Sequence, residues 1–144
     1  MNATILVIED EVGPRESIKI ILKPYYRVVS AENGIKALEI LQKEKIDLIT
    51  LDLRMPELAG EEVLKKIKEI KPEIEVIIIS GHASVKSALD GVRYGAADYL
   101  LKPFAISDLI NTIKKALRRK QRAEELKSFL NKVNNQFGAD GQGK

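Results

Sequence analysis

The sequence predicts an α/β domain: a parallel sheet with helices on both faces, doubly wound. Three observations carry that prediction. Short, near-continuously apolar runs alternate with segments that are apolar at helical spacing, strand then helix, five times. Strands that apolar are buried on both faces, which is the habit of parallel sheets joined by helices. Right-handed crossovers then make a doubly wound sandwich the simplest topology. The third is size: 144 residues, 44% of them apolar, suffice for one domain with a real core.

Taken in order, Thr4 to Ile8 is a β-type run that ends in Glu9-Asp10-Glu11. Gly13 and Pro14 open a helix, with Pro14 suited to its first turn; Ile18, Ile21 and Leu22 form its stripe and Pro24 stops it. Tyr26 to Val29 is a short strand. Asn33 caps the helix that carries Ile35, Leu38, Ile40 and Leu41. The run from Ile46 is the third strand and ends at Asp52, entering a turn marked by Pro56 and Gly60. Val63, Leu64, Ile67 and Ile70 mark a helix that Pro72 ends, and Ile74 to Ile79 leads into Ser80-Gly81-His82. Ser84 caps a helix poor in large apolar residues (Val85, Ala88, Leu89, Val92). Ala96 to Leu101 is the last strand, followed by Lys102-Pro103-Phe104. From about Ser107 a helix carries Leu109, Ile110, Ile113, Ala116 and Leu117.

Beyond that point the pattern changes, although the last helix is expected to run on as an extended C-terminal helix. Ala123, Leu126, Leu130, Val133 and Phe137 repeat at spacings of three and four, an a/d seam of the coiled-coil kind. Residues 138–144 are small and polar and are expected to be flexible. The division is thus a domain over residues 1–118, a helical or coiled-coil linker over 119–137, and a tail over 138–144. The chain reads as stopping inside a linker, with an effector domain missing.

Composition excludes several function classes. Without cysteine there are no disulfides, thiolate chemistry or cysteine metal sites. No apolar run approaches membrane-spanning length, and Thr4 to Ile8 turns acidic too soon for a signal peptide, so a cytoplasmic protein is expected. Much of the net charge of +3 comes from Lys114, Lys115, Arg118, Arg119, Lys120 and Arg122, read as a solvated helix face rather than a nucleic-acid site.

The chemistry gathers at one edge. In the expected fold Glu9, Asp10, Asp52, Ser80 and Lys102 all fall at carboxyl ends of strands, where open α/β sheets bind ligands. Three carboxylates in one crevice repel by a few kcal/mol per close pair at an effective dielectric near ~20. A hard divalent cation relieves that repulsion, and Mg²⁺ takes one or two carboxylates while keeping several waters. Asp52 can then act as a carboxylate nucleophile toward a phosphoryl group, with Ser80 and Lys102 holding its peripheral oxygens.

The runs Ile5-Leu6-Val7-Ile8-Glu9-Asp10-Glu11, Leu51-Asp52-Leu53-Arg54-Met55-Pro56, Gly60, Ile78-Ile79-Ser80-Gly81-His82 and Lys102-Pro103-Phe104 resemble, in order and spacing, the receiver domain of two-component response regulators. The resemblance covers about the first 118 residues, and softer features make it most like the receivers of sigma-54-dependent transcriptional activators. It implies a flavodoxin-like fold with strand order 2-1-3-4-5. It also implies Asp52 as phosphoacceptor, Glu9 and Asp10 as the acidic metal pair and the Arg54 backbone carbonyl as a further Mg²⁺ ligand. Ser80 matches the switch hydroxyl, Tyr99 the switch aromatic, and Lys102 the phosphate-binding lysine, with a cis bond to Pro103. Arg54 and His82 occupy positions that tune phosphate lifetime in the family. Glu9 and Ser80 stand where aspartate and threonine are commoner. The implied partners are a sensor histidine kinase and a second copy of the chain, met through the last strand, the flanking helices and the linker; direct nucleic-acid binding is not expected.

Two rival readings follow from the same residues. A Mg²⁺-dependent aspartyl-phosphate phosphatase usually carries a second aspartate two positions on, where this chain has Arg54. A phosphate-independent interaction module would not need Asp52. A nucleotide-binding domain is disfavoured by the lack of G-x-G-x-x-G and Walker motifs.

Overall fold

The computed structural model describes residues 3–55, 58–81 and 90–138. Its strands are β1 (Thr4–Ile8), β2 (Arg27–Ala31), β3 (Leu48–Leu51), β4 (Glu75–Ser80) and β5 (Asp98–Leu101). They form one parallel sheet in the order β2-β1-β3-β4-β5, as expected. The helices are α1 (Val12–Leu22), α2 (Gly34–Lys43), α3 (Gly60–Ile70) and the long α4 (Ile106–Val133), which runs into a wider π turn, Asn134–Gly138. The predicted cap at Ser84 and its first turns lie outside the described residues; residues 90–93 are helical.

Side-chain alternation splits the core into two layers. Leu6, Ile8, Ile49, Leu51, Val76 and Ile78 face α2 and α3, meeting Ala37, Leu41, Val63, Leu64 and Ile67. Ile5, Val7, Leu48, Ile77 and Ile79 face α1 and α4, meeting Ile18, Leu22, Leu109, Ile113 and Ala116. Every residue of β1 and β3 is buried, which explains their unbroken apolar sequence.

Several boundaries move from the sequence expectation. Tyr25 and Tyr26 donate their N–H groups back to the Leu22 carbonyl and close α1, so β2 starts at Arg27 and runs to Ala31. The predicted cap at Asn33 is present: its Oδ1 accepts the Lys36 N–H at 2.8 Å. Ile35 and Ile70, expected on buried stripes, are exposed, because α2 buries the line Gly34, Ala37 and Leu41, and α3 buries Gly60, Val63, Leu64 and Ile67. Residues 94–97 form a turn with Gly95 at φ +94°, and β5 is only four residues long.

As expected of an extended C-terminal helix, α4 runs on past residue 118 without a break. Leu109, Ile113, Ala116 and Lys120 form its buried line. Lys120 ends that line beneath the sheet, paired with Glu124 and, at 3.7 Å, with Asp47. Asp47 in turn accepts the Thr4 N–H at 2.8 Å and so holds the start of β1.

Candidate functional site

Parallel strands deliver their carboxyl ends to one edge, and β1, β3, β4 and β5 are consecutive neighbours there. Glu9 and Asp10 follow β1, Asp52 follows β3, Ser80 is the last residue of β4, and Lys102 follows β5. Backbone hydrogen bonds carry the ladder into the loops. Glu9 donates its N–H to Ala31, Asp52 to Ile8, and Lys102 to Ser80, at 2.9–3.1 Å. The reactive side chains are therefore fixed by extensions of the sheet itself.

Carboxylate oxygens of Glu9, Asp10 and Asp52 lie within 4.8 Å of one another. Glu9 is 1% exposed and Asp52 7%. Lys102 bridges two of them, its Nζ at 2.5 Å from Glu9 Oε1 and 3.1 Å from Asp52 Oδ2. The other Asp52 oxygen, Oδ1, accepts the Arg54 N–H at 2.8 Å. Burial, reinforced by the negative charge of Asp52, pushes the Glu9 carboxyl up to about 7 against the opposing hydrogen bond from Lys102. Burial also works against the charged Lys102 ammonium, but its bonds to Glu9 and Asp52 outweigh that and raise its pKa. The donor set, hard carboxylate oxygens on a partly buried edge, is compatible with Mg²⁺.

Ser80 is buried at the end of β4, where its register partner is Leu101. Tyr99, in β5, is the register partner of Ile78 in β4 and lies partly buried against the α2–α3 layer. The Lys102–Pro103 peptide is cis, as the resemblance implied. Pro56 and His82 fall outside the described residues.

Two features were not read from the sequence. Arg15, one turn into α1, donates from its guanidinium to the carbonyls of Glu9 (3.0 Å) and Asp10 (3.2 Å), pinning the loop that carries both acids. Its partners are main-chain atoms, so no residue type announces them. The second is how tightly Gly60 is seated, although its place in the turn was recognised. A Cβ there would sit 2.4 Å from Leu53 Cα and 3.0 Å from the Asp52 carbonyl oxygen. The first residue of α3 thus presses directly on the backbone that carries Asp52.

Comparison with known proteins bears on the fold and the family. The family described as the response regulator receiver domain matches residues 5–114. The chain is 37% identical over 121 residues to the transcriptional regulatory protein ZraR of Klebsiella oxytoca, covering 83% of this chain and 27% of that protein. It therefore spans about a quarter of that relative's length. It is 35% identical over 118 residues to sporulation initiation phosphotransferase F of Bacillus subtilis (strain 168), covering 81% of this chain and 95% of that one. Among solved structures, NtrX from Brucella abortus superposes with a TM-score of 0.85 at 32% identity, over 90% of this chain and 30% of that one.

Proposed function

This chain belongs to the receiver domain family of two-component response regulators, and from that premise we propose that Asp52 accepts a phosphoryl group from a sensor histidine kinase. The observation that carries the reading is the single edge on which three carboxylates and one ammonium converge. An Asp52 oxygen forms the bond to phosphorus while the phosphorus–nitrogen bond of the donor phosphohistidine breaks, and the imidazole leaves with the electron pair. Glu9, Asp10, Asp52 and the Arg54 carbonyl would hold Mg²⁺, which supplies charge neutralisation at the transferring group when bound.

Lys102 already spans Glu9 and Asp52, so it is placed to answer new charge on Asp52. Pro103, through the cis bond, sets the chain direction after Lys102. Phosphorylation adds ~1.5 to 2 negative charges and three acceptor oxygens, which Ser80 and Lys102 engage. Tyr99 then shifts, and the surface formed by the helix before β5, β5 itself and α4 changes with it. That surface and the linker that follows near residue 119 control self-association or an effector domain. Regulation of transcription is the output suggested by the relatives.

The test is incubation with acetyl phosphate and Mg²⁺ followed by mass mapping. A gain of one phosphoryl group on Asp52, absent with EDTA or in Asp52→Ala, is expected. Labelling elsewhere, or none, refutes the assignment; steady hydrolysis of phosphate esters would favour the phosphatase reading instead. Light scattering with and without beryllofluoride checks the dimer, and equal dimer content in both rejects control by phosphorylation.

A further inference from the structure

Residues 114–122 hold six cations and no acid, while the rest of the chain holds 18 cations against 21 acids, so the whole basic excess sits in nine residues of α4. Two of the six are engaged: Lys120 pairs with Asp47 and Glu124, and Lys114 lies over the Tyr25 ring. Lys115, Arg118, Arg119 and Arg122 are exposed and form no ion pair among the described residues. At ~100° per residue these four fall on one strip of the helix, spaced three and four apart.

The same strip continues into the apolar seam. Leu126 (58% exposed) and Leu130 (49%) follow Arg119 and Arg122 on that side, while the line that packs on the sheet, Leu109, Ile113, Ala116 and Lys120, faces elsewhere. One open face of α4 is therefore cationic for two turns next to the domain and apolar for the turns beyond. With Ala123, Leu126, Leu130 and Val133 as alternating core layers, Arg119 is the next layer toward the domain and Arg122 flanks it. A parallel pairing of two copies matches each apolar layer with itself, and it also brings both sets of four cations together at the domain end.

We propose that this cationic strip is an electrostatic brake on self-association through the adjoining seam, so that a second copy docks in parallel only where salt or a bound multivalent anion screens the strip. The inference rests on the dimer reading above and adds the orientation and its control. Ordinary coiled coils held by flanking ion pairs weaken as salt rises; this one tightens. Antiparallel pairing would place the two strips at opposite ends and remove the effect.

The experiment is sedimentation equilibrium of the full chain, with and without beryllofluoride and Mg²⁺, between ~20 mM and ~500 mM NaCl, where the screening length falls from ~20 Å to ~4 Å. The dimer dissociation constant is expected to fall about tenfold over that range in whichever state pairs. The double variant Arg119→Gln/Arg122→Gln should pair at low salt as the parent does at high salt and lose most of the dependence, which separates the brake from general salting-out. Leu130→Glu, which keeps the strip and breaks the seam, should abolish pairing. Absence of a dimer in every condition overturns the dimer reading itself. A dimer that Leu130→Glu abolishes, but whose affinity is flat or weaker with salt, leaves the seam standing and overturns the brake.

Discussion

Gly60→Ala tests whether the seat of Asp52 depends on close approach of α3. In the first turn of an exposed helix the change is neutral or favourable, by up to ~1 kcal/mol, because alanine loses less backbone freedom on folding. Here the added Cβ would stand 2.4 Å from Leu53 Cα, 2.9 Å from the Leu53 carbonyl oxygen and 3.0 Å from that of Asp52. All three are backbone atoms, so no side chain can rotate away. Ordinary contact requires a displacement of ~1 Å, and overpacking of that kind destabilises by ~1–3 kcal/mol. The displacement also strains the hydrogen bond from the Gly60 N–H to the Leu53 carbonyl, 3.2 Å long. Steric strain therefore outweighs the propensity gain, and a net loss of ~1–2 kcal/mol is expected by urea unfolding. Phosphorylation by acetyl phosphate should slow as well, because the backbone beside Asp52 shifts. Gly13→Ala is the internal control: a Cβ there meets nothing within 4 Å, and stability should hold or rise. Equal behaviour of the two variants would refute the reasoning.

Thr50 is buried in β3 with its Oγ1 unpartnered among the described residues, so Thr50→Val should stabilise the domain by ~1 kcal/mol; a loss in urea unfolding would mean that the hydroxyl is satisfied. Lys102→Met removes the cation that compensates Glu9 and Asp52, so calorimetry should show Mg²⁺ binding several-fold more tightly while phosphorylation falls; unchanged Mg²⁺ affinity would argue against a shared site. The folded pKa of Glu9, about 7, lies above its ordinary value of 4.5. Its contribution to stability is therefore fully present below about 4.5 and is lost as pH rises through about 7, by at most ~3 kcal/mol. Without Mg²⁺, urea midpoints should fall between pH 5 and 8, and a rise across that window would contradict the burial of Glu9.

The placement of the site was legible because three things coincide in the sequence: unbroken apolar runs, their order, and charge at their carboxyl ends. A parallel sheet converts that order into proximity, so Glu9, Asp10, Asp52 and Lys102 meet although up to 93 residues separate them. What was less legible depended on atoms that carry no residue signature. Arg15 answers carbonyls, and the seating of Gly60 depends on backbone rather than on side chains. Strand ends were misjudged where a turn borrows apolar residues. Tyr26 reads as strand but closes α1, and Ala96 completes the turn after Gly95 through its N–H bond to Gly91, while Ala97 already bonds the Val76 carbonyl at the start of the β4–β5 ladder.

The long helix was legible as an extension of the last helix of the domain, and the structure gives it a mechanical meaning. Composition changes at about residue 118, but α4 continues without a break to Val133, and its last firm hold on the domain is Lys120 rather than an apolar residue. An apolar side chain at that position would face Asp47 and Glu124 below the sheet; a lysine satisfies both, and its buried stem still packs. The seam thus inherits its direction from the sheet's base through one ion-paired anchor. From Lys120 to Val133 the arm is ~20 Å long at ~1.5 Å per residue, so a tilt of ~5° at β5 and α4 carries its end ~2 Å. On the pairing proposed above, two ångströms exceed what a knobs-into-holes layer absorbs without repacking, so a modest shift beside Tyr99 would disrupt the outer layer at Val133, while Leu126 and Leu130, ~9 and ~15 Å along the arm, move by ~1 Å.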